Sequence, residues 1–548
     1  MSHMIDIKTQ VNAAVLDPAH VGDIEGALGT IFQHDSRPRL TWRHRLATLL
    51  AILGPGLIVM VGDNDAGAFA TYTQAGQNYG TALLWTLALL VPVLYVNQEM
   101  VLRLGTVTGV GHARLILERF GKFWGAFSVI DLFLLNALTI VTEFIGISLA
   151  LDYLGVSKLV GVALAAMLTI IAASTGNFRR FERFALMLCF GSLLLVPILL
   201  VAHPPIGQTA HDLVVPGLPK GKLSDIMLLV IGIVGTTIAP WQLFFQQSYV
   251  IDKRITPRFM AYERADLWIG IVVVMIGAIA MMAFCAAAFD GTSDFGKFTD
   301  AGGIAAGLAK HVGPVAGVLF ALALIDASII GAAAVSLATA YAIGDVLTVG
   351  HSLHRKPTDA LGFYLIYAGL IAVAAALVLI PGSPLGLLTA AVQTLAGVLL
   401  PSATVFLLLL CNDRAVLGPW VNGNWMNLFT GAVIAALVIL SVILTAAVLY
   451  PDISDAVILW TLGAGAVLAM IISGIGLLLR RNGGNRHAIH PRDARITRAT
   501  WRMPPLGQLP PPRLTSATRI WLAVLRLYLV LASVMVVLRV VQIALGSL

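Results

Sequence analysis

The chain has 548 residues, of which 58% are hydrophobic and 11% charged, and its mean hydropathy is +0.89. A soluble globular domain of this length does not carry such values, so the composition points to a polytopic membrane protein. The net charge of +7 matters through where Lys and Arg fall relative to the membrane, and it does not point to nucleic acid.

Residues 1–44 are polar and mixed and are expected to form a soluble arm. Ser2-His3-Met4 reads as a cloning remnant, and no apolar run follows closely enough to suggest a cleaved signal peptide. Arg37, Arg39, Arg43 and Arg45 stand just before the first apolar run, which predicts a cytoplasmic N-terminus. Apolar segments long enough to span a bilayer then recur at about 47–76, 81–102, 123–151, 158–175, 184–202, 225–250, 265–289, 315–347, 361–380, 385–411, 427–450 and 456–479, about twelve in all. Alternate loops hold the positive charge, as in Arg114 and Arg119, then Arg179, Arg180 and Arg183, then Lys253, Arg254 and Arg258, then Arg355 and Lys356. The loops between them hold little, so the count and the topology support each other. Residues 45–480 thus form the transmembrane domain. Residues 481–517 read as an exposed Arg/Pro-rich linker, and 518–548 as an apolar helix that spans the membrane or lies in its interface.

The first apolar segment contains Gly62-Asp-Asn-Asp-Ala-Gly-Ala68. Alone, this stretch would also suit the aqueous end of a helix. A carboxylate at membrane depth is, however, a functional candidate by default, and the flanking glycines let the backbone leave the helix and turn its carbonyls toward a cavity. In the sixth segment, Gly235-Thr-Thr-Ile-Ala-Pro240-Trp-Gln242 sets a proline among polar residues in mid-span. Breaks in helices one and six predict an all-α transporter fold built from an inverted repeat of five plus five helices, with the substrate between the breaks. Asn64 is a candidate cap for the second half of the first helix. Asp63, Gln98 with Glu99, Asp131, Glu143 and Asp326 are further intramembrane polar groups, suited either to an ion pathway or to structural hydrogen bonding between helices. The run Gly331-Ala-Ala-Ala334 suggests close helix packing. Cys189, Cys285 and Cys411 fall in separate segments, and the histidines show no metal-ligand spacing.

With these residues in place, the stretch from Gly54 to Leu428 resembles the NRAMP divalent-metal transporters, and within them the NRAMP-related magnesium transporter branch. The resemblance rests on Gly54-Pro-Gly56, Asp65-Ala-Gly-Ala68, Gln74-Ala-Gly76, Leu84-Trp85, Ala239-Pro240-Trp241, Thr139 with Glu143-Phe-Ile-Gly146, Gln393, and Asn412-Asp-Arg414 through Val421-Asn422. It implies an ion held by Asp65, by the Gly62 and Thr236 carbonyls and by Gln393, with Ala68 and Ala239 where the family carries asparagine and methionine. Two lost ligands leave a wider, harder site. That suits Mg2+, which dehydrates reluctantly, and also Mn2+. Trp241 and Gln246 stand where the family has histidines and Ile140 where it has an aspartate, which implies transport without proton coupling; Gln242 joins Trp241 and Gln246 along the expected pathway. A divalent ion moving inward gains roughly 4.6 kcal/mol per 100 mV, so the potential suffices to drive uptake. The metal is substrate, and no cofactor is expected. The expected partners are the ion and the bilayer of the inner membrane, with one monomer sufficient for transport. Two alternatives remain: a proton-coupled Mn2+ or Fe2+ carrier, and an organic-solute carrier of the same fold. An intramembrane enzyme lacks a nucleophile, base or metal cluster in this sequence.

Overall fold

The computed structural model describes residues 14–35, 37–381, 385–449, 454–482 and 501–512, with isolated positions beyond. In chain order its helices are α1 (Trp42–Ile52), α2 (Pro55–Val61), α3 (Ala66–Tyr79), α4 (Leu84–Thr108), α5 (His112–Phe120), α6 (Lys122–Tyr153), α7 (Lys158–Ala173), α8 (Phe178–Cys189), α9 (Leu195–Ala202) and α10 (Ile206–Val214). They continue as α11 (Leu223–Thr237), α12 (Pro240–Asp252), α13 (Met260–Phe289), α14 (Ala301–His311), α15 (Pro314–Leu347), α16 (Leu361–Val378), α17 (Leu385–Cys411), α18 (Arg414–Leu417), α19 (Asn424–Leu449) and α20 (Asp455–Asn482). Nine spans among the described residues are long and apolar enough to cross a membrane. The remaining predicted segments are the broken pair α2 and α3, the shorter α7, and α20.

Both expected breaks are present. α2 and α3 are separated by Gly62–Asp65, and α11 and α12 by Ile238 and Ala239. The spanning helices pack in two groups: α2, α3, α4, α12 and α13 lie chiefly against one another, as do α6, α7, α15 and α16, with α12 crossing to α15. This is the two-bundle arrangement that an inverted-repeat carrier needs for one part to move against the other.

Three expectations need correction. The segment predicted at 47–76 does not begin as one span: α1 is a separate helix, bent by 52° from α2. Its break falls at Leu53-Gly54, where Gly54 has φ 155° and an added Cβ would lie 2.3 Å from Glu182 Oε1, so only glycine fits. The N-terminal arm is folded onto the membrane domain. It contains a short antiparallel hairpin, Ile24–Gly26 with Gly29–Ile31, the only strands among the described residues. In the linker expected to be exposed, Met503 is fully buried and its N–H donates to the Val107 carbonyl at 3.4 Å, because Trp501, Met503, Leu506 and Leu509 give this stretch an apolar side. Apart from isolated positions, the predicted helix at 518–548 lies outside the described residues, as does Ser2-His3-Met4.

Candidate metal site

The breaks release backbone carbonyls. Pro240 has no N–H to offer the Thr236 carbonyl one turn earlier. Among the described residues, the carbonyls of Gly235, Thr236 and Thr237, and those of Gly62, Asp63 and Asn64, accept no backbone N–H. Carbonyl ends of two half-helices therefore face the midplane, the arrangement that draws a cation.

Asp65 sits between the half-helices as the N-cap of α3, its Oδ1 accepting the Ala68 N–H at 2.9 Å. The cap predicted for Asn64 is thus made by Asp65. Asn64 instead donates from Nδ2 to the Val274 carbonyl at 3.1 Å, leaving its Oδ1 unpartnered. Gln393 on α17 reaches the same place. Its Oε1 accepts the Thr236 hydroxyl at 2.8 Å, and its Nε2 lies so close to Gly67 that a Cβ there would be 1.6 Å away and 3.2 Å from Asp65 Oδ1. Glu143 arrives from α6, its Oε2 accepting the Ala66 N–H at 3.1 Å. Gly331 makes room for both acids: a Cβ on it would stand 2.9 Å from Glu143 Oε2 and 3.0 Å from the Asp65 Cβ. The small-residue run at 331–334 is therefore buried, and its Gly331 packs against the site. Asp65, Thr236 and Gln393 are each at most 5% exposed, and Ala68 and Ala239 are buried with them.

A second layer lies on the α12 side. Gln242 Nε2 donates to Asp63 Oδ1, and Gln242 Oε1 accepts from Gln98 Nε2 at 2.9 Å. Trp241 reaches back toward the end of α2, where a Cβ on Gly62 would be 3.8 Å from its Cη2. Several side chains of these helix breaks and of α12 keep buried polar atoms without a protein partner: Asp63 Oδ2, Asn64 Oδ1, Trp241 Nε1 and both amide atoms of Gln246, as does Gln98 through its Oε1. An unpaired buried polar atom costs about 1–3 kcal/mol, so this lining fits water or a hydrated ion.

Two predicted pathway acids lie elsewhere. Glu99 is engaged by Arg103 at 3.2 Å, one turn along α4, and by Arg264 at 2.6 Å, which makes it a structural anion. Asp326 faces Gly191 of the short 3-10 stretch before α9, where an added Cβ would be 1.9 Å from its Oδ2, and it does not join the site. The sequence reading passed over Thr71 and Tyr72. Thr71 Oγ1 lies 3.3 Å from Thr236 Oγ1, and the Tyr72 hydroxyl 2.8 Å from Thr237 Oγ1, joining α3 to the broken end of α11. Thr71 and Tyr72 stand at i+3 and i+4 from Ala68, and Tyr72 at i+7 from Asp65, a spacing that sets them on the same helix face.

Among the described residues, no group of three or more His, Cys, Asp or Glu is placed to hold a metal ion. The ligand groups gathered at the breaks are instead the Asp65 carboxylate, with Asp63 and Glu143 beside it, free carbonyls and an amide, a hard oxygen set.

A sequence model of the Nramp family, described as natural resistance-associated macrophage protein-like, matches residues 56–447. The chain belongs to the Nramp family. It is 32% identical over 394 residues to the divalent metal cation transporter MntH of Ralstonia nicotianae, covering 69% of this chain and 86% of that protein. The MntH of Pectobacterium carotovorum is 28% identical over 413 residues, covering 71% and 92%. Among solved structures, the manganese transporter of Eremococcus coleocola shares the fold with a TM-score of 0.62 at 21% identity, over 84% of this chain and 98% of that one. As an Nramp protein the chain is a multi-pass membrane transport protein and not an enzyme.

Proposed function

We propose that this Nramp protein imports divalent metal ions, Mg2+ foremost and Mn2+ also, as partly hydrated ions and without obligatory proton coupling. The observation that carries the reading is the pair of alanines, Ala68 and Ala239, at the two helix breaks beside Asp65. Neither offers a ligand, so Asp65, the Gly62 and Thr236 carbonyls and Gln393 would bind an ion that keeps several of its waters. Asp63, Asn64, Gln98, Trp241, Gln242 and Gln246 would line its path, their unpartnered atoms meeting its hydration shell. Trp241 and Gln246 carry no titratable group, which supports an uncoupled cycle. The Arg- and Lys-bearing ends of α4, α12 and α15 share a face with the N-terminal arm, so we assign that face to the cytoplasm.

A second reading is uptake of Mn2+ with a proton. It is favoured by Glu143 beside Asp65 and by the relatives named as divalent metal and manganese transporters. Purified protein in vesicles under an inside-negative potential separates the two. Mg2+ influx with a silent internal pH dye supports the proposal. Manganese or cadmium flux without magnesium flux would overturn the choice of ion, and metal-dependent acidification above that of empty vesicles would overturn the uncoupled cycle.

A further inference from the structure

The N-terminal arm bridges the two helix groups on one face of the protein. Toward the group containing α12, Arg254 donates from Nε to the Ala19 carbonyl at 2.9 Å and from Nη1 to the Asp23 carbonyl at 3.1 Å. Gly26 and Gly29 lie directly on Ala51 of α1, where a Cβ on Gly26 would be 1.9 Å from the Ala51 carbonyl oxygen. Toward the group containing α15, Asp17 is buried against the loop that follows that helix. It accepts from Arg355 Nη2 at 2.6 Å and Nε at 2.8 Å, and from the His351 N–H at 3.0 Å. His20 sits over the same junction, with Nε2 3.3 Å from the His351 carbonyl and 3.7 Å from Asp252 Oδ1 at the end of α12.

Under the hairpin, the tie is ionic. Ala27 donates its N–H to Glu182 Oε2 at 2.5 Å, and Glu182 Oε1 pairs with Lys253 at 2.7 Å, both side chains fully buried. Lys253 also donates to the Ile52 carbonyl at 2.6 Å and the Leu53 carbonyl at 2.9 Å, closing the end of α1. Asp266 accepts the N–H of Gly56 at 2.7 Å and holds the start of α2. The first half of the broken helix is thus pinned at its beginning, and the arm covers the pin.

Motion of one group against the other is how such a carrier exposes its site alternately. When they separate on this face, the arm has to give up its contacts to one of the two groups. We propose that residues 14–35 form a latch that keeps the arm-bearing face shut, so that the ion leaves on this side only after Asp17 has parted from Arg355 and His351. This inference does not depend on which divalent ion is carried.

The test uses the full chain with a reporter cysteine in place of Gln246, probed by a membrane-impermeant thiol reagent from the arm's side. Asp17→Asn and Arg355→Gln each weaken a charge-assisted contact, the first at constant side-chain size and the second with a shorter side chain. Each should speed labelling of the reporter by about tenfold, and the double variant should add little to either, since both act on one contact. Native Cys285, fully buried, serves as the control for unfolding. Reporter labelling at the parent rate in both variants would overturn the latch, as would labelling of Cys285 in step with the reporter. Divalent flux, measured in parallel without the reporter, separates the two proposals: a parent that carries no divalent ion sinks the functional reading, and faster labelling would still support the latch.

Discussion

Gly67→Ala tests whether Gln393 belongs to the ion site without removing a charged group, the new methyl also standing 3.2 Å from Asp65 Oδ1. The new methyl would sit 1.6 Å from Gln393 Nε2 and 2.5 Å from its Cδ, so the amide must withdraw by about 1.8 Å to reach ordinary contact. The obstacle is the far end of a flexible side chain, which can move, and the movement breaks the 2.8 Å bond from Thr236. Losing that bond costs about 1 kcal/mol and takes the amide oxygen from the ion, so affinity should fall by roughly tenfold or more. Gly67 is the second residue of α3, and alanine there favours the helix by about 0.5–1 kcal/mol, which offsets most of the lost bond, so stability should hold or fall slightly. Calorimetric titration of Mg2+ and Mn2+ into purified protein, read beside the thermal midpoint, checks both halves. Unchanged affinity in Gly67→Ala and in Gln393→Ala would remove Gln393 from the site and leave its bond to Thr236 as packing.

Asp65→Ala should abolish uptake in vesicles while the protein remains monodisperse by size exclusion; retained flux would move the site toward Asp63. Ala239→Met returns a soft thioether and should lower the ratio of magnesium to cadmium uptake, with Ala68→Asn added shifting it further, as competition assays would read. Outside the spans, burial pulls the His351 imidazolium down, but Asp345 at 3.0 Å and the Val349 carbonyl push it up to about 9. Its stabilising effect is complete below the unfolded value of about 6.5 and is lost as pH rises through about 9. The thermal midpoint should therefore fall across that window, and His351→Gln should flatten this part of the profile.

Much of this architecture is written in local signals. A span is a run of some twenty apolar residues, so hydropathy finds it, and Asp65 and Pro240 stand out because a carboxylate and a missing N–H are conspicuous inside such runs. What the sequence hides depends on partners far along the chain. The pairing of Glu99 with Arg103 is visible at i+4, whereas its bond to Arg264 crosses 165 positions. The bend between α1 and α2 is fixed by Asp266, more than two hundred residues away, capping the amides of Gly54, Gly56 and Leu57. The arm reads as a polar tail because its few apolar residues, Ile24 and Ile31 among them, bury against Ala51, Ile52 and Val250 only once the membrane domain exists. Asn64 and Asp65 are equally good caps by residue type. The structure gives the cap to Asp65, and the Asn64 amide donates to the Val274 carbonyl.

The charge balance at the breaks bears on what the site carries. Glu99 has two arginines, Glu182 a lysine and Asp17 an arginine, yet among the described residues Asp63, Asp65 and Glu143 form no ion pair. Asp63 meets an amide, while Asp65 and Glu143 meet backbone N–H groups and each other's carboxyl. Carboxylates withdrawn from water without a countercharge are costly, and protein dipoles offset only part of that cost. Against these three carboxylates a divalent ion beside Asp65 supplies two charges, whereas a proton shared by Asp65 and Glu143 supplies one. A site built this way favours a doubly charged cargo over a singly charged one on electrostatics alone. Counting charge moved per ion separates the two ways of reaching balance: two charges inward per ion with no proton matches the cargo alone, and three matches an ion that enters with a proton on Glu143.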